Sequence, residues 1–74
     1  MRWKPISEYH KRNRDWVLVQ FKEKACDFYP IPVVAELRKN GEWWCRTDDL
    51  ILNNYLNDMC EAVAFIDIPP YKAK

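Results

Sequence analysis

Val33-Val34-Ala35-Glu36-Leu37-Arg38-Lys39 runs into Asn40-Gly41 and then into Glu42-Trp43-Trp44-Cys45-Arg46. Asn-Gly between two strand-like runs is the strongest short hairpin signature, because a type I′ turn needs positive φ at both central residues. Gly41 is the only glycine in the chain. A two-residue loop at positions 40 and 41 sets Lys39 opposite Glu42, Arg38 opposite Trp43, Leu37 opposite Trp44 and Glu36 opposite Cys45. Side chains alternate across a strand, so this register predicts a core face of Val33, Ala35, Leu37 and Trp44 and a mostly wet face of Val34, Glu36, Arg38 and Trp43. Trp43 is then expected outward beside Arg38, a pairing of residue types that dominates binding hot spots.

Working outward from the hairpin, Trp16-Val17-Leu18-Val19-Gln20-Phe21-Lys22 is rich in β-branched and aromatic residues. It predicts a strand with Val17, Val19 and Phe21 on one face and Trp16, Leu18 and Gln20 on the other. The connection that follows holds Asp27, Pro30 and Pro32; the prolines keep residues 29–31 extended and supply no ladder donor at 30 and 32. Before the strand, residues 7–15 are too polar to pair and read as a surface loop or one short helical turn capped by Ser7. After the hairpin, residues 47–59 read as a short helix with Thr47 as N-cap and Asp48 and Asp49 in its first turn. Asn53, Asn54 and Asn57 are poor helix formers, so this helix is expected to be short or broken. Residues 61–68 read as a last strand, ended by Pro69-Pro70. The order predicts an α+β fold: a small antiparallel sheet of three to four strands with one short helix, in a single domain over residues 1–74.

Composition narrows the function classes. The chain has 74 residues, 49% of them apolar and 15% aromatic, which argues for a packed core over disorder. The net charge of +1 is unevenly spread: residues 1–46 carry ten basic and six acidic side chains, +4, whereas residues 47–71 carry five acids and no base, −5. Cys26, Cys45 and Cys60 are too far apart for paired zinc ligands and too few for a disulfide scaffold, so they read as reduced thiols and the chain as cytoplasmic. No apolar run approaches the roughly 20 residues needed to span a bilayer, and no membrane partner is expected. A single glycine removes phosphate-loop and dinucleotide-loop readings. Ser7, His10 and the cysteines show no spacing that brings a nucleophile to a base, and no metal or cofactor is expected. The chain reads as a non-enzyme.

Two charged segments remain as candidate contacts. Asp48, Asp49, Asp58 and Glu61, with Arg38, Trp43 and Tyr71, form the expected partner-binding set, approaching a basic surface on another protein. Tyr9, His10, Lys11, Arg12 and Arg14 have the composition of a phosphate or nucleotide contact, with positive charge beside a stacking surface.

Trp3-Lys4-Pro5-Ile6-Ser7-Glu8, the Trp16-Val17-Leu18-Val19 strand, the Gly41-Glu42-Trp43-Trp44 arm and the closing strand into Pro69-Pro70 come in an order that resembles a family of short phage and prophage proteins of unknown function. The resemblance covers most of the chain, and it departs from the family at residues 9–14 and at Phe65-Ile66. It implies an accessory role inside an infected bacterium. Together these readings predict a binding protein that occupies and inhibits a host protein, such as a defence nuclease or effector complex, in the manner of an anti-CRISPR inhibitor. The rival readings are an oligomeric sponge for a nucleotide second messenger, which requires a homo-oligomer, and a small nucleic-acid-binding accessory, the less favoured of the two partner types.

Overall fold

A computed structural model describes residues 2–10 and 16–68. Its elements are β1 (Lys4–Pro5), a 3₁₀ turn (Ile6–Glu8), β2 (Val17–Glu23), β3 (Val33–Leu37), β4 (Trp43–Cys45), α1 (Leu50–Asp58) and β5 (Cys60–Asp67). The strands form one antiparallel sheet in the order β1-β5-β2-β3-β4. The α+β class is as expected, with five strands in place of three to four. The additional strand is β1, two residues long and paired to Phe65 and Ala64 of β5, too short for any periodicity to announce it. Ser7 lies inside the 3₁₀ turn and does not cap it; Pro5 takes the cap position with no side-chain hydrogen bond.

The alternation of β2 dictates where the core lies. Val17, Val19 and Phe21 are buried together with Ala35, Trp43, Leu56, Cys60 and Phe65, and Leu52 and Tyr55 of α1 pack against them. Helix α1 therefore covers this face of the sheet.

The hairpin departs from expectation by one residue. Ala35 pairs with Cys45, Glu36 with Trp44 and Leu37 with Trp43. Arg38 and Gly41 close the turn, with Gly41 N–H donating to Arg38 O at 2.9 Å and Arg38 N–H to Glu42 O at 2.8 Å. The loop is thus Lys39-Asn40-Gly41, and Gly41 is its left-handed residue at φ 85°. A three-residue loop of this kind needs positive φ at one position only, whereas type I′ needs it at two. Asn40 meets the need differently: its side chain accepts from Glu42 N–H at 3.0 Å. One residue of slip exchanges the faces of β4. Trp43 is the core tryptophan, 9% exposed, and Trp44 is the outward one.

The helix begins later than Thr47. Asp49 is the N-cap, its carboxylate accepting from Leu52 N–H at 3.1 Å, and Asp48 sits at φ 59°, where a helix cannot run. Thr47 turns its hydroxyl to Cys45 Sγ at 3.3 Å instead. The asparagines do not break α1; they fasten it to β4. Asn57 Oδ1 accepts from Trp43 N–H and its Nδ2 donates to Trp43 O, both at 2.8 Å, while Asn53 Oδ1 accepts from Cys45 N–H at 2.8 Å. β4 is an edge strand, and unpaired edge groups template strand addition. Here Asn57 occupies the place of a further strand.

Candidate functional site

The face of the sheet turned away from α1 carries Leu18 between its register partners Val34 and Ile66, an apolar row across three strands in which Leu18 and Val34 are half-buried and Ile66 is buried. Beside it stand two aromatic–guanidinium stacks. The Arg38 guanidinium lies over the Trp44 ring at 4.7 Å from its centroid, and that of Arg46 over Trp16 at 5.2 Å. Each contact of this type is worth about 0.5–1 kcal/mol at an exposed site. Glu36, between Arg38 and the apolar row, holds Arg38 Nε at 3.5 Å, and Asp48 accepts from Trp44 Nε1–H. Trp44 is thereby contacted from two sides, by the Arg38 guanidinium over its ring and by Asp48 at its indole N–H.

The expected partner-binding residues are divided by this geometry. Arg38 is exposed and part of a stack, as read from the sequence, but its neighbour is Trp44. Trp43 is buried, edge-to-face against Tyr9 at 5.2 Å and Phe21 at 6.1 Å, and offers no outward surface. Asp48 and Asp49, expected in the first helical turn and in the partner-binding set, are exposed, but one fastens Trp44 and the other caps α1. Asp58 ends α1 and Glu61 lies opposite Lys22 on β5, both exposed. Tyr71 lies outside the described residues.

Of the phosphate-contact set, Tyr9 is half-buried, its ring edge-on to Trp43 and Phe65. It packs against the core cluster. His10 is exposed. Lys11, Arg12 and Arg14 lie outside the described residues.

Trp16 was expected as a stacking surface flanking the basic stretch 10–14; its partner here is Arg46, which was not singled out by sequence. Another unforeseen cluster surrounds Glu23, whose carboxylate accepts from the Tyr55 hydroxyl and, at 3.3 Å, from exposed Cys26 Sγ. The hydrogen bond to Glu23, with burial adding to it, pushes the Tyr55 hydroxyl well above the ordinary tyrosine range. Cys45 and Cys60 are buried, and all three cysteines are free thiols. Among the described residues no three His, Cys, Asp or Glu side chains are grouped to hold a metal ion, and no helix is long and apolar enough to cross a membrane.

No protein-family model, curated protein or solved structure matches this chain.

Proposed function

We propose that this chain is a non-enzymatic binding protein that acts by occupying a host protein with the helix-free face of its sheet. The observation that carries the proposal is the pair of arginine–tryptophan stacks, Arg38 on Trp44 and Arg46 on Trp16, beside the Leu18 row. Tryptophan and arginine are the residues most enriched in interface hot spots, and a central apolar row with a polar rim is the usual anatomy of a specific interface. What these groups offer is a contact surface, with no nucleophile or base among them. The resemblance of the opening and closing segments to short phage proteins supports a bacterial host and, among host proteins, a component of defence whose working surface would be blocked.

This reading moves the contact away from the acidic segment. Asp48 and Asp49 hold Trp44 and α1 in place, so reversing their charge disturbs the fold as well as any interface.

The test is native mass spectrometry of the tagged protein purified gently from a bacterial host, run beside Trp44→Ala and Arg38→Glu. Circular dichroism verifies that both variants keep the fold. A stoichiometric protein retained by the parent and lost from both folded variants is the expected result. A partner retained equally by all three moves the interface elsewhere on the molecule, and an oligomer carrying a nucleotide-sized mass replaces this reading with the sponge.

A further inference from the structure

The tip of the β3–β4 hairpin places a reactive dipeptide in the loop that decides how β4 faces. Asn40 and Gly41 are both exposed. Attack by the Gly41 main-chain nitrogen on Asn40 Cγ closes a five-membered ring, the reaction that makes asparagine a labile residue. Glycine puts no Cβ beside the attacking nitrogen, and no atom lies within 4 Å of the place where one would stand.

The folded turn prepares the amide for this attack. Glu42 N–H donates to Asn40 Oδ1 at 3.0 Å, the oxygen on which charge develops when the carbonyl is attacked. Asn40 Nδ2 donates to Glu42 Oε1 at 3.1 Å, so a carboxylate lies against the nitrogen that must leave. One contact opposes the reaction: Gly41 N–H donates to Arg38 O at 2.9 Å. That bond must open before the nitrogen can lose its proton. It lies at an exposed loop tip, where opening costs least.

We propose that Asn40 is a self-modification site of the folded chain, and that its isoaspartyl product frees Arg38 from Trp44. Hydroxide removes the Gly41 N–H proton and the nitrogen bonds to Asn40 Cγ. The Cγ–Nδ2 bond then breaks, and Nδ2 takes a proton from water and leaves as ammonia. Water opens the ring in one of two ways. Addition at Cγ breaks the new bond and gives aspartate. Addition at the main-chain carbonyl carbon of Asn40 breaks the original peptide bond and gives isoaspartate, with the chain now running through Cβ and Cγ. The sum is one water consumed and one ammonia released, with no change of oxidation state.

Both products set a carboxylate near that of Glu42 in place of an amide donor. Aspartate keeps the loop length. Isoaspartate adds a methylene to the main chain inside the turn that Arg38 N–H and Glu42 O close, and it removes the side-chain acceptor of Glu42 N–H. Arg38 both anchors this turn and stacks on Trp44, so a longer loop disturbs the stack through the backbone.

The experiment is incubation of the isotope-labelled full chain at mildly alkaline pH, folded and in urea, followed by peptide mapping, separation of the products by ion exchange, and NMR. A gain of a single mass unit is expected at Asn40, with Asn53, Asn54 and Asn57 unchanged, and Asn40→Gln should abolish it. The rate should rise with hydroxide and be no more than about tenfold slower in the folded chain than in urea. In the separated isoaspartyl species, the Arg38 side-chain resonances that the Trp44 ring shifts upfield should return to unstacked positions, whereas Asn40→Asp should keep most of the shift. A folded chain slower than that, or one that gains the mass elsewhere, overturns the site, because the turn then protects its asparagine. An isoaspartyl species with unmoved Arg38 resonances overturns the link to Trp44.

Discussion

Trp43 and Trp44 are neighbours of the same type, and they do opposite work. Trp43 faces α1, is 9% exposed, and packs edge-to-face with Tyr9 and Phe21. Trp44 faces away from the helix and lies under a guanidinium, its indole N–H held by Asp48. One face is closed by packing and by the helix; the other by cations laid on rings. The difference teaches where energy is stored. Interior apolar contacts are large and costly to remove, whereas stacks at the surface are individually small and leave recognisable groups in water. Three changes test that division, in falling order of effect.

Asn57→Ala should have the largest. Alanine is the better helix former by up to about 0.7 kcal/mol, so by propensity alone the variant ought to gain stability. It also strips Trp43 of both edge hydrogen bonds and Asn53 O of the donor that Asn57 Nδ2 places 2.7 Å away. Each buried polar group left unpaired costs about 1–3 kcal/mol, which outweighs the propensity gain and leaves a net loss of about 2–3 kcal/mol. Domains of this size have only about 4–11 kcal/mol in all. Urea unfolding followed by tryptophan fluorescence reads the loss as a lower midpoint. A variant as stable as the parent, or more so, would show that α1 does not seal β4.

The second change is smaller and depends on pH. Tyr55, on the helix-covered side, has its hydroxyl raised above the ordinary value of 10.0 by donation to Glu23. The folded state thus binds this proton more tightly than the unfolded chain. Its contribution to stability is fully present below about pH 10 and is lost as the pH rises above that value toward the raised one. The stability gap between the parent and Tyr55→Phe should stay constant from neutral pH to about pH 9 and shrink above about pH 10. A gap that begins to close below pH 9, or widens in alkali, would contradict the Tyr55–Glu23 bond.

Much of the helix-covered side was legible from sequence, and the reasons are local. Val17, Val19 and Phe21 alternate with residues of another character, and alternation phases a strand. β3 is phased likewise by Glu36 and Arg38. β4 is not: Trp43-Trp44-Cys45 has no polar residue to say which side is wet, so its facing hung entirely on the length of the turn. Asn40-Gly41 suits both a two-residue and a three-residue loop, and the choice depends on which residue carries positive φ, a property of the assembled hairpin. The same limit applied to α1. Asparagine has low helix propensity, but Asn53 and Asn57 are placed to reach the edge of β4, a tertiary use that no propensity scale records. Trp16 and Arg46 lie 30 positions apart in sequence, and only the register of β2, β3 and β4 brings them together.

The smallest expected effect is on the helix-free side, and it is the one that tests the candidate site directly. Arg38 touches Trp44 and Glu36, and neither contact is deeply buried. An exposed ion pair contributes about 0–1 kcal/mol and a surface cation–π contact about 0.5–1 kcal/mol, so Arg38→Ala alone should cost no more than about 1 kcal/mol. That total mixes the two contacts, and a double-mutant cycle of Arg38→Ala with Trp44→Leu separates them. The coupling energy should be about 0.5–1 kcal/mol, with Arg38→Ala and Glu36→Gln showing a smaller, salt-sensitive one. A coupling near zero would mean that Arg38 leaves the ring in solution, and the surface proposed for recognition would lose its basis. A coupling well above 1 kcal/mol would mean that the stack is part of the interior, and the contrast between Trp43 and Trp44 would collapse from the other side.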